Sequence, residues 1–105
     1  MKYFVSFSPD ADRQFTEILV WLADNAEPDV VQLFIDDLEK LRDLLEETPL
    51  FRPVHDALPY RHASIGRFEY TVWYQVIEER VEITCFAHGR MNLSTVRERL
   101  DGGRS

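Results

Sequence analysis

Three arginines and one histidine in the second half of the chain have the side chains best suited to chemistry on an anionic group. Arg61, Arg67 and Arg90 fall near the ends of predicted strands, so we expect them to converge at one sheet edge as an anion-binding patch. A guanidinium holds a phosphate or a carboxylate through two parallel hydrogen bonds. Histidine as a residue type has an unperturbed pKa near neutrality, so His88 is a candidate general acid or base. The alternatives are solvated charges that protect a strand edge, and a histidine that ends a strand and hydrogen-bonds a loop.

The tryptophans and the one cysteine indicate binding and packing. Trp73 alternates with the apolar residues of its strand, so it faces away from them and is a candidate for an interaction surface. The alternative is that the helical layer covers this face and Trp73 is part of the core. Trp21 lies beside the apolar stripe of the first helix and is expected at the edge of the core. Cys85 has apolar neighbours and is expected to be a buried thiol.

A metal site is a further possibility that the sequence disfavours. His55 and Asp56 lie in a proline-rich loop, and His62 and His88 follow them. The spacing of these residues matches no metal-binding motif. We therefore expect no metal and no cofactor.

Acidic and basic residues are separated along the chain, whose formal net charge is −7. Residues 1–51 contain four basic and twelve acidic residues, whereas residues 52–105 contain eight arginines and seven acidic residues. A field this negative repels nucleic acid, so we expect no direct DNA binding. The polar face of the second helix is predicted to be solvated. That face carries Asp36, Asp37, Glu39, Lys40, Asp43, Glu46 and Glu47.

The period of the apolar residues changes from helical to alternating near residue 60. Ser8 and Pro9 predict the start of a helix over 9–25, and a second striped helix follows over 29–47. The short connection between them predicts an antiparallel hairpin. Strands are predicted over 3–8, 60–64, 68–76 and 81–87, a loop over 49–59 and a short helix over 94–100.

This order of elements predicts an α+β fold with an N-terminal strand, an antiparallel helical hairpin and a three-strand antiparallel meander. The meander has one face to bury and the hairpin is the layer available to cover it, which gives a two-layer sandwich. The length predicts a single domain over 1–105. No apolar run is long enough to span a membrane, and one cysteine cannot form an internal disulfide, so we expect a cytoplasmic protein.

Four segments carry a resemblance to a known family. They are residues 7–11 (Phe-Ser-Pro-Asp-Ala), the leucine-striped helix that ends at Thr48-Pro49, residues 66–76 (Gly-Arg-Phe-Glu-Tyr-Thr-Val-Trp-Tyr-Gln-Val) and residues 87–90 (Ala-His-Gly-Arg). In this order they resemble the ParE/RelE superfamily of toxins from type II toxin–antitoxin systems, over residues 3 to about 92. The resemblance implies the two-layer RelE/ParE-like fold, a role in plasmid stabilisation, and a toxin that a cognate antitoxin neutralises.

The departures from the family pattern bear on the target. RelE-like members cut messenger RNA in the ribosomal A site, whereas ParE-like members poison DNA gyrase and are not nucleases. The strand position where RelE-like nucleases carry an arginine is Thr71 here, and the usual second arginine after His-Gly is Met91. RNA cleavage needs cations at the phosphate and a group that deprotonates the 2′-hydroxyl. These departures favour the ParE-like reading over the RelE-like one.

The leading expectation is therefore a ParE-like toxin that binds DNA gyrase, with Arg61, Arg67, Trp73 and Arg90 as partner-binding residues. Its edge strand and hairpin groove are expected to receive the antitoxin, as an added strand or an amphipathic helix. One alternative is a RelE-like ribosome-dependent endoribonuclease with Arg61, Arg67, His88 and Arg90 as catalytic residues. The other alternative is a non-toxic interaction module of the same fold.

Overall fold

The computed structural model describes residues 2–102. Met1 and residues 103–105, which the predicted domain includes, lie outside the described residues. The elements in chain order are β1 (Phe4–Phe7), α1 (Pro9–Asn25), α2 (Pro28–Glu47), β2 (Arg61–Ser64), β3 (Tyr70–Ile77), β4 (Arg80–His88) and α3 (Leu93–Gly102), with one 3-10 turn at Pro49–Phe51.

The helical hairpin begins where the sequence predicts it. The Ser8 hydroxyl accepts a hydrogen bond from the Ala11 N–H at 3.1 Å, and Pro9 occupies the first turn of α1. A serine oxygen in this position satisfies one of the free N–H groups of a helix start, and proline has no N–H to leave unpaired there. The Ser8 hydroxyl also donates to the Thr84 carbonyl at 2.8 Å. The cap therefore fixes the start of α1 to β4.

The four strands form one sheet in the order β1-β4-β3-β2. The strands β2, β3 and β4 form the predicted antiparallel meander. The strand β1 lies parallel to β4, with Val5 opposite Val81 and Phe7 opposite Ile83. Parallel neighbours need a long crossover connection, and the hairpin with β2 and β3 supplies it. The predicted α+β fold is confirmed.

The hairpin packs on one face of the sheet and buries the main core. Ring contacts join the layers, because Phe34 on α2 meets Phe68 and Tyr70 edge-on at 5.2 and 5.7 Å between centroids. Tyr74 is fully buried, and its hydroxyl donates to the Pro49 carbonyl at 2.7 Å. The helical residues of this core are Ala11, Ile18, Leu22, Phe34, Leu38, Leu41 and Leu45. They include the predicted stripe of the second helix in full.

A second, smaller cover lies on the opposite face of the sheet. Helix α3 packs there through Val96 and Leu100, which are four residues apart on one helix face. The loop before β2 adds Leu58 and Tyr60 to the same cluster. This cover was not predicted, because the hairpin alone was assigned as the layer that buries the sheet. Along residues 2–102, none of the helices is long and apolar enough to cross a membrane.

Candidate functional site

Arg67 is held by a carboxylate from the helical hairpin. Its Nε lies 3.2 Å from Asp37 Oδ2 and its Nη2 lies 3.4 Å from Asp37 Oδ1, while its backbone N–H also faces Oδ2. The hydrogen bond from the Arg67 side chain holds the pKa of the Asp37 carboxyl below its usual value. The Asp37 side chain is only 6% exposed, so its assignment to the solvated face of the second helix is wrong. It faces inward because the turn before β3 packs on α2.

Gly66 makes this contact possible. Its φ of +48° lies in the left-handed region, which glycine adopts without a steric penalty. A Cβ on this residue would also collide with the Asp37 carboxylate. The turn can therefore approach α2 closely enough for Arg67 to bind Asp37 only with glycine in this position.

Arg61 lies at a different place in the sheet and is occupied by the backbone. Its guanidinium donates to the Arg52 carbonyl, and Arg52 Nε in turn donates to the His62 carbonyl at 3.0 Å. Arg61 pairs with Tyr74, whereas Ser64, at the other end of β2, pairs with Thr71. These contacts join the loop before β2 to the edge of the sheet.

His88 and Arg90 lie at the far end of β4, near the turn that carries Arg67. The Gly89 N–H donates to the Glu69 carbonyl at 2.5 Å, which joins the two turns. His88 Nδ1 accepts from the Arg90 N–H at 3.2 Å, and His88 Nε2 lies 3.6 Å from a Glu69 carboxylate oxygen. Arg90 itself is exposed.

The three arginines therefore do not form one patch. Arg67 and Arg90 lie at the same end of the sheet. Ser64 of β2 is near that end, opposite Thr71, and Arg61 lies three residues away from Ser64 along β2. Three strand residues span about 10 Å, and the Arg61 guanidinium is held by the Arg52 carbonyl while that of Arg67 is held by Asp37. Two cations therefore lie near His88: Arg67, which is bound to Asp37, and Arg90, which is exposed.

Trp73 is buried under the second cover. Its side chain is 5% exposed, and its ring stacks on His62 at 4.7 Å and meets His55 at 5.3 Å. We expected Trp73 to lie on an interaction surface, and its burial does not match that expectation. The alternative expectation, that Trp73 is part of the core, fits better, but α3 and the loop before β2 cover the residue instead of the helical hairpin. Burial, followed by the nearby Arg52 charge, lowers the pKa of His62.

The buried thiol of Cys85 is unsuited to nucleophilic chemistry. The residue is fully buried in the cluster under α3, as expected. Burial raises its pKa to about 12. The reactive form of cysteine is the thiolate, so a thiol with this pKa is inert near neutral pH.

A groove beside Trp21 is the surface feature that the sequence analysis missed. Trp21 is 56% exposed, so its expected place at the core edge is wrong. Two adjoining hollows of about 570 and 240 Å³ share Trp21, Tyr70 and His88 in their walls. The helical wheel alone gives no clear signal, because Trp21 lies three residues after Ile18 and so borders the buried stripe of α1.

The edge of the sheet at β1 is a second open surface. Of its two sides, β1 uses one to pair with β4. Beside it runs a hollow of about 560 Å³, lined by residues 5–9 together with Asp12 and Arg42. A strand edge with free backbone groups can accept an added strand from another chain.

Comparisons with known proteins agree with this fold. A family model described as the ParE toxin of the type II toxin–antitoxin system parDE matches residues 5–93. A solved structure described as the chromosomal ParDE TA system from P. aeruginosa superposes with a TM-score of 0.70 at 12% sequence identity, covering 83% of this chain and 96% of that one. At this identity the structural likeness shows the fold alone. A comparison with curated proteins found no match.

Proposed function

Because the chain belongs to the ParE toxin family of type II toxin–antitoxin systems, we propose that it inhibits growth by binding DNA gyrase and that a cognate antitoxin neutralises it. Its action is binding rather than chemistry of its own. This target puts its site of action in the cytoplasm.

The separation of the cations supports a binding mechanism. Arg67 is engaged by Asp37, Arg61 donates to a backbone carbonyl, and Thr71 stands where the nuclease pattern has an arginine. Stabilising the charge that develops on a phosphate during cleavage needs several donors aimed at one point. Contact with a protein target needs only an exposed surface, and Arg67 and Arg90 provide one.

Arg67 and Arg90 are the residues that we assign to the gyrase-binding surface. Arg61 and Trp73 act indirectly, because Arg61 holds the loop before β2 and Trp73 supports the cover formed by α3. The antitoxin has a separate place to bind at the open edge of β1, where it can add a strand.

A supercoiling assay with purified DNA gyrase tests this function. We expect the wild-type protein to inhibit supercoiling and Arg90→Ala to need about tenfold more protein, as for loss of a central arginine at an interface. Arg80→Ala is the matched control, because Arg80 is also exposed but lies at the other end of β4. A protein that leaves gyrase active and cuts ribosome-bound messenger RNA would overturn the proposal.

The surroundings of His88 favour one second candidate, a RelE-like endoribonuclease. His88 lies edge-on to Tyr70 at 5.3 Å and faces the Glu69 carboxylate, so three groups able to move protons lie beside the groove. If this candidate is correct, joint replacement of His88 and Arg90 by alanine abolishes toxicity and messenger RNA cleavage. Overexpression without any effect on growth would instead indicate a non-toxic interaction module.

A further inference from the structure

Large apolar side chains between the end of α2 and the start of β2 are open to solvent. Leu44, Leu50, Phe51 and Val54 are each at least 43% exposed, and together they form what we term the turn patch. Leu44 and Phe51 line one hollow of about 340 Å³ between α2 and β2. Single exposed apolar residues are normal on a protein surface, whereas a cluster of them indicates a binding site.

The β2 side of the turn patch joins the 3-10 turn. Val54 is opposite Arg61 in an isolated bridge, so the two residues lie on one face of the sheet. Arg61 pairs with Tyr74, whose hydroxyl donates to the Pro49 carbonyl at the start of the 3-10 turn. Val54 therefore lies on the same side of the sheet as this turn.

The turn patch offers a partner side chains rather than backbone groups. The strand β2 is the last in the sheet, with β3 on its other side. Arg52 Nε donates to the His62 carbonyl, and Val54 bridges Arg61, so the loop before β2 covers this edge along Arg61 and His62. A partner must therefore pack its own side chains on the patch instead of adding a strand.

Charges of opposite sign border the two sides of the turn patch. On the β2 side, Arg52 and Arg61 donate to backbone carbonyls, and along residues 2–102 neither forms an ion pair with a carboxylate. On the α2 side, a stripe at the spacing i, i+4, i+7 and i+11 borders Leu44 with three acidic residues and one basic residue. This stripe is Asp36, Lys40, Asp43 and Glu47.

This arrangement of charge selects a second copy of the chain as the partner. An acidic segment laid over the patch would be repelled on the α2 side, and a basic segment would be repelled on the β2 side. A copy rotated by 180° places its own α2 side over the β2 side of the first copy, and the reverse. The apolar residues of the two copies then meet at the axis.

The size of the turn patch fits a reversible dimer. A standard interface buries about 800 Å² on each partner. Four side chains that are about half exposed supply apolar surface on the order of 300 Å², so the bordering polar residues must supply the rest. We therefore expect a dissociation constant on the order of 10 µM.

We propose that two copies of this chain associate through the turn patch about a two-fold axis, with Arg52 of each copy facing Glu47 of the partner subunit. The hollow of the turn patch shares no lining residue with the groove beside Trp21 or with the hollow along β1. The dimer therefore leaves both of those surfaces open.

Sedimentation equilibrium of the full chain between about 1 and 500 µM tests the association. We expect the mass to rise from monomer to dimer over this range. Leu44→Asp is expected to raise the dissociation constant at least about tenfold, because it places a charge in the apolar centre. Val20→Asp is the matched control, with an expected change below about twofold, because Val20 is 57% exposed on a different helix.

A charge exchange tests the two-fold arrangement. Arg52→Glu and Glu47→Arg each place like charges opposite one another in their own homodimer, so each alone is expected to weaken association at least about tenfold. In an equimolar mixture, the heterodimer again joins opposite charges at both pairs. We expect the mixture to dimerise within about threefold of the wild type. Circular dichroism confirms that every variant is folded.

Three results would overturn the inference. A monomer at every concentration would mean that another molecule covers the turn patch. Equal weakening by Leu44→Asp and Val20→Asp would place the contact elsewhere, and a mixture without rescue would reject the two-fold pairing. The assay contains neither gyrase nor antitoxin, so its outcome is independent of the proposed function.

Discussion

The regions around Trp73 and Trp21 contain the same kinds of side chain. Trp73 stacks on His62, which has Arg52 nearby, and Trp21 lines the same hollow as His88 and Arg67. The region around Trp73 is closed by α3 and the loop before β2, so the indole is 5% exposed. The region around Trp21 has no such cover in the described part of the chain, and its indole is 56% exposed.

This difference shows that residue types do not decide which aromatic cluster is core and which is surface. The deciding feature is whether another element packs over the cluster. Val96 and Leu100 bring α3 onto the Trp73 side, where Cys85 and Ala87 give it a flat apolar surface. On the other side, Glu17 and Asp24 flank Trp21, and charged neighbours disfavour burial by the chain itself.

Replacing each tryptophan by alanine gives the largest expected contrast. Trp73→Ala removes a buried ring and leaves a cavity, so we expect a loss of about 3–5 kcal/mol in the free energy of unfolding. Trp21→Ala changes an exposed position, and its effect should stay within about 0.5 kcal/mol. Urea denaturation followed by circular dichroism measures both. Equal losses would show that Trp21 is part of the core.

Two leucines of α3 test whether this helix is what closes the Trp73 region. Leu100 is buried there and Leu93 is exposed. We expect Leu100→Ala to cost about 2–3 kcal/mol and to increase quenching of Trp73 by acrylamide. Leu93→Ala is the control, with an expected change below about 0.5 kcal/mol. Unchanged quenching in Leu100→Ala would mean that the loop before β2 covers Trp73 by itself.

Two glycines test the turn that carries Arg67 beside the open groove. Gly66→Ala should cost about 1–2 kcal/mol, because alanine is strained in the left-handed region and its methyl group would collide with Asp37. At Gly89 a Cβ would lie 3.2 Å from the Glu69 carbonyl oxygen, so this backbone would have to move by a few tenths of an ångström, less than the clash at Gly66 requires. We expect Gly89→Ala to cost less than Gly66→Ala in the same denaturation assay. The reverse order would contradict the role of Asp37 in holding the turn.

The smallest of the expected effects is a loss of stability in mild acid, through His62 beside Trp73. The pKa of His62 is lowered in the folded protein, so the unfolded chain takes up this proton first. The contribution of His62 to stability is therefore complete above its usual pKa of 6.5 and declines as the pH falls below that value. Thermal unfolding at pH 7 and pH 5.5 should show a smaller decrease for His62→Gln than for the wild type. Identical decreases would mean that other groups cause the acid sensitivity.

Local patterns predicted the elements well because their causes are local. The Ser8 cap, the stripe of α2 and the alternation of β3 each depend on residues within a few positions of one another. The bulge between Trp73 and Tyr74 was not predictable in this way. It depends on how β3 pairs with β4, where Trp73 lies opposite Cys85 and Tyr74 lies opposite Ile83.

The sequence analysis proposed candidate residues for the site, but it did not predict how all of them are arranged in space. His88, Arg67 and Arg90 do lie at one end of the sheet, because β3 and β4 are consecutive strands of a meander. Arg61 lies elsewhere because an antiparallel strand reverses direction, and its position in the sequence gives no hint of the Arg52 carbonyl that it binds.

The sequence by itself determined the helical hairpin, the meander and the acidic character of the first half of the chain. The period of the apolar residues indicates which face of an element a side chain lies on, and the capping residues indicate where a helix begins. Only the tertiary structure decided that β1 lies parallel to β4, that Asp37 is buried against Arg67, and that Trp73 is covered while Trp21 is open. Burial depends on which other element packs over a residue, and that partner is distant in the sequence.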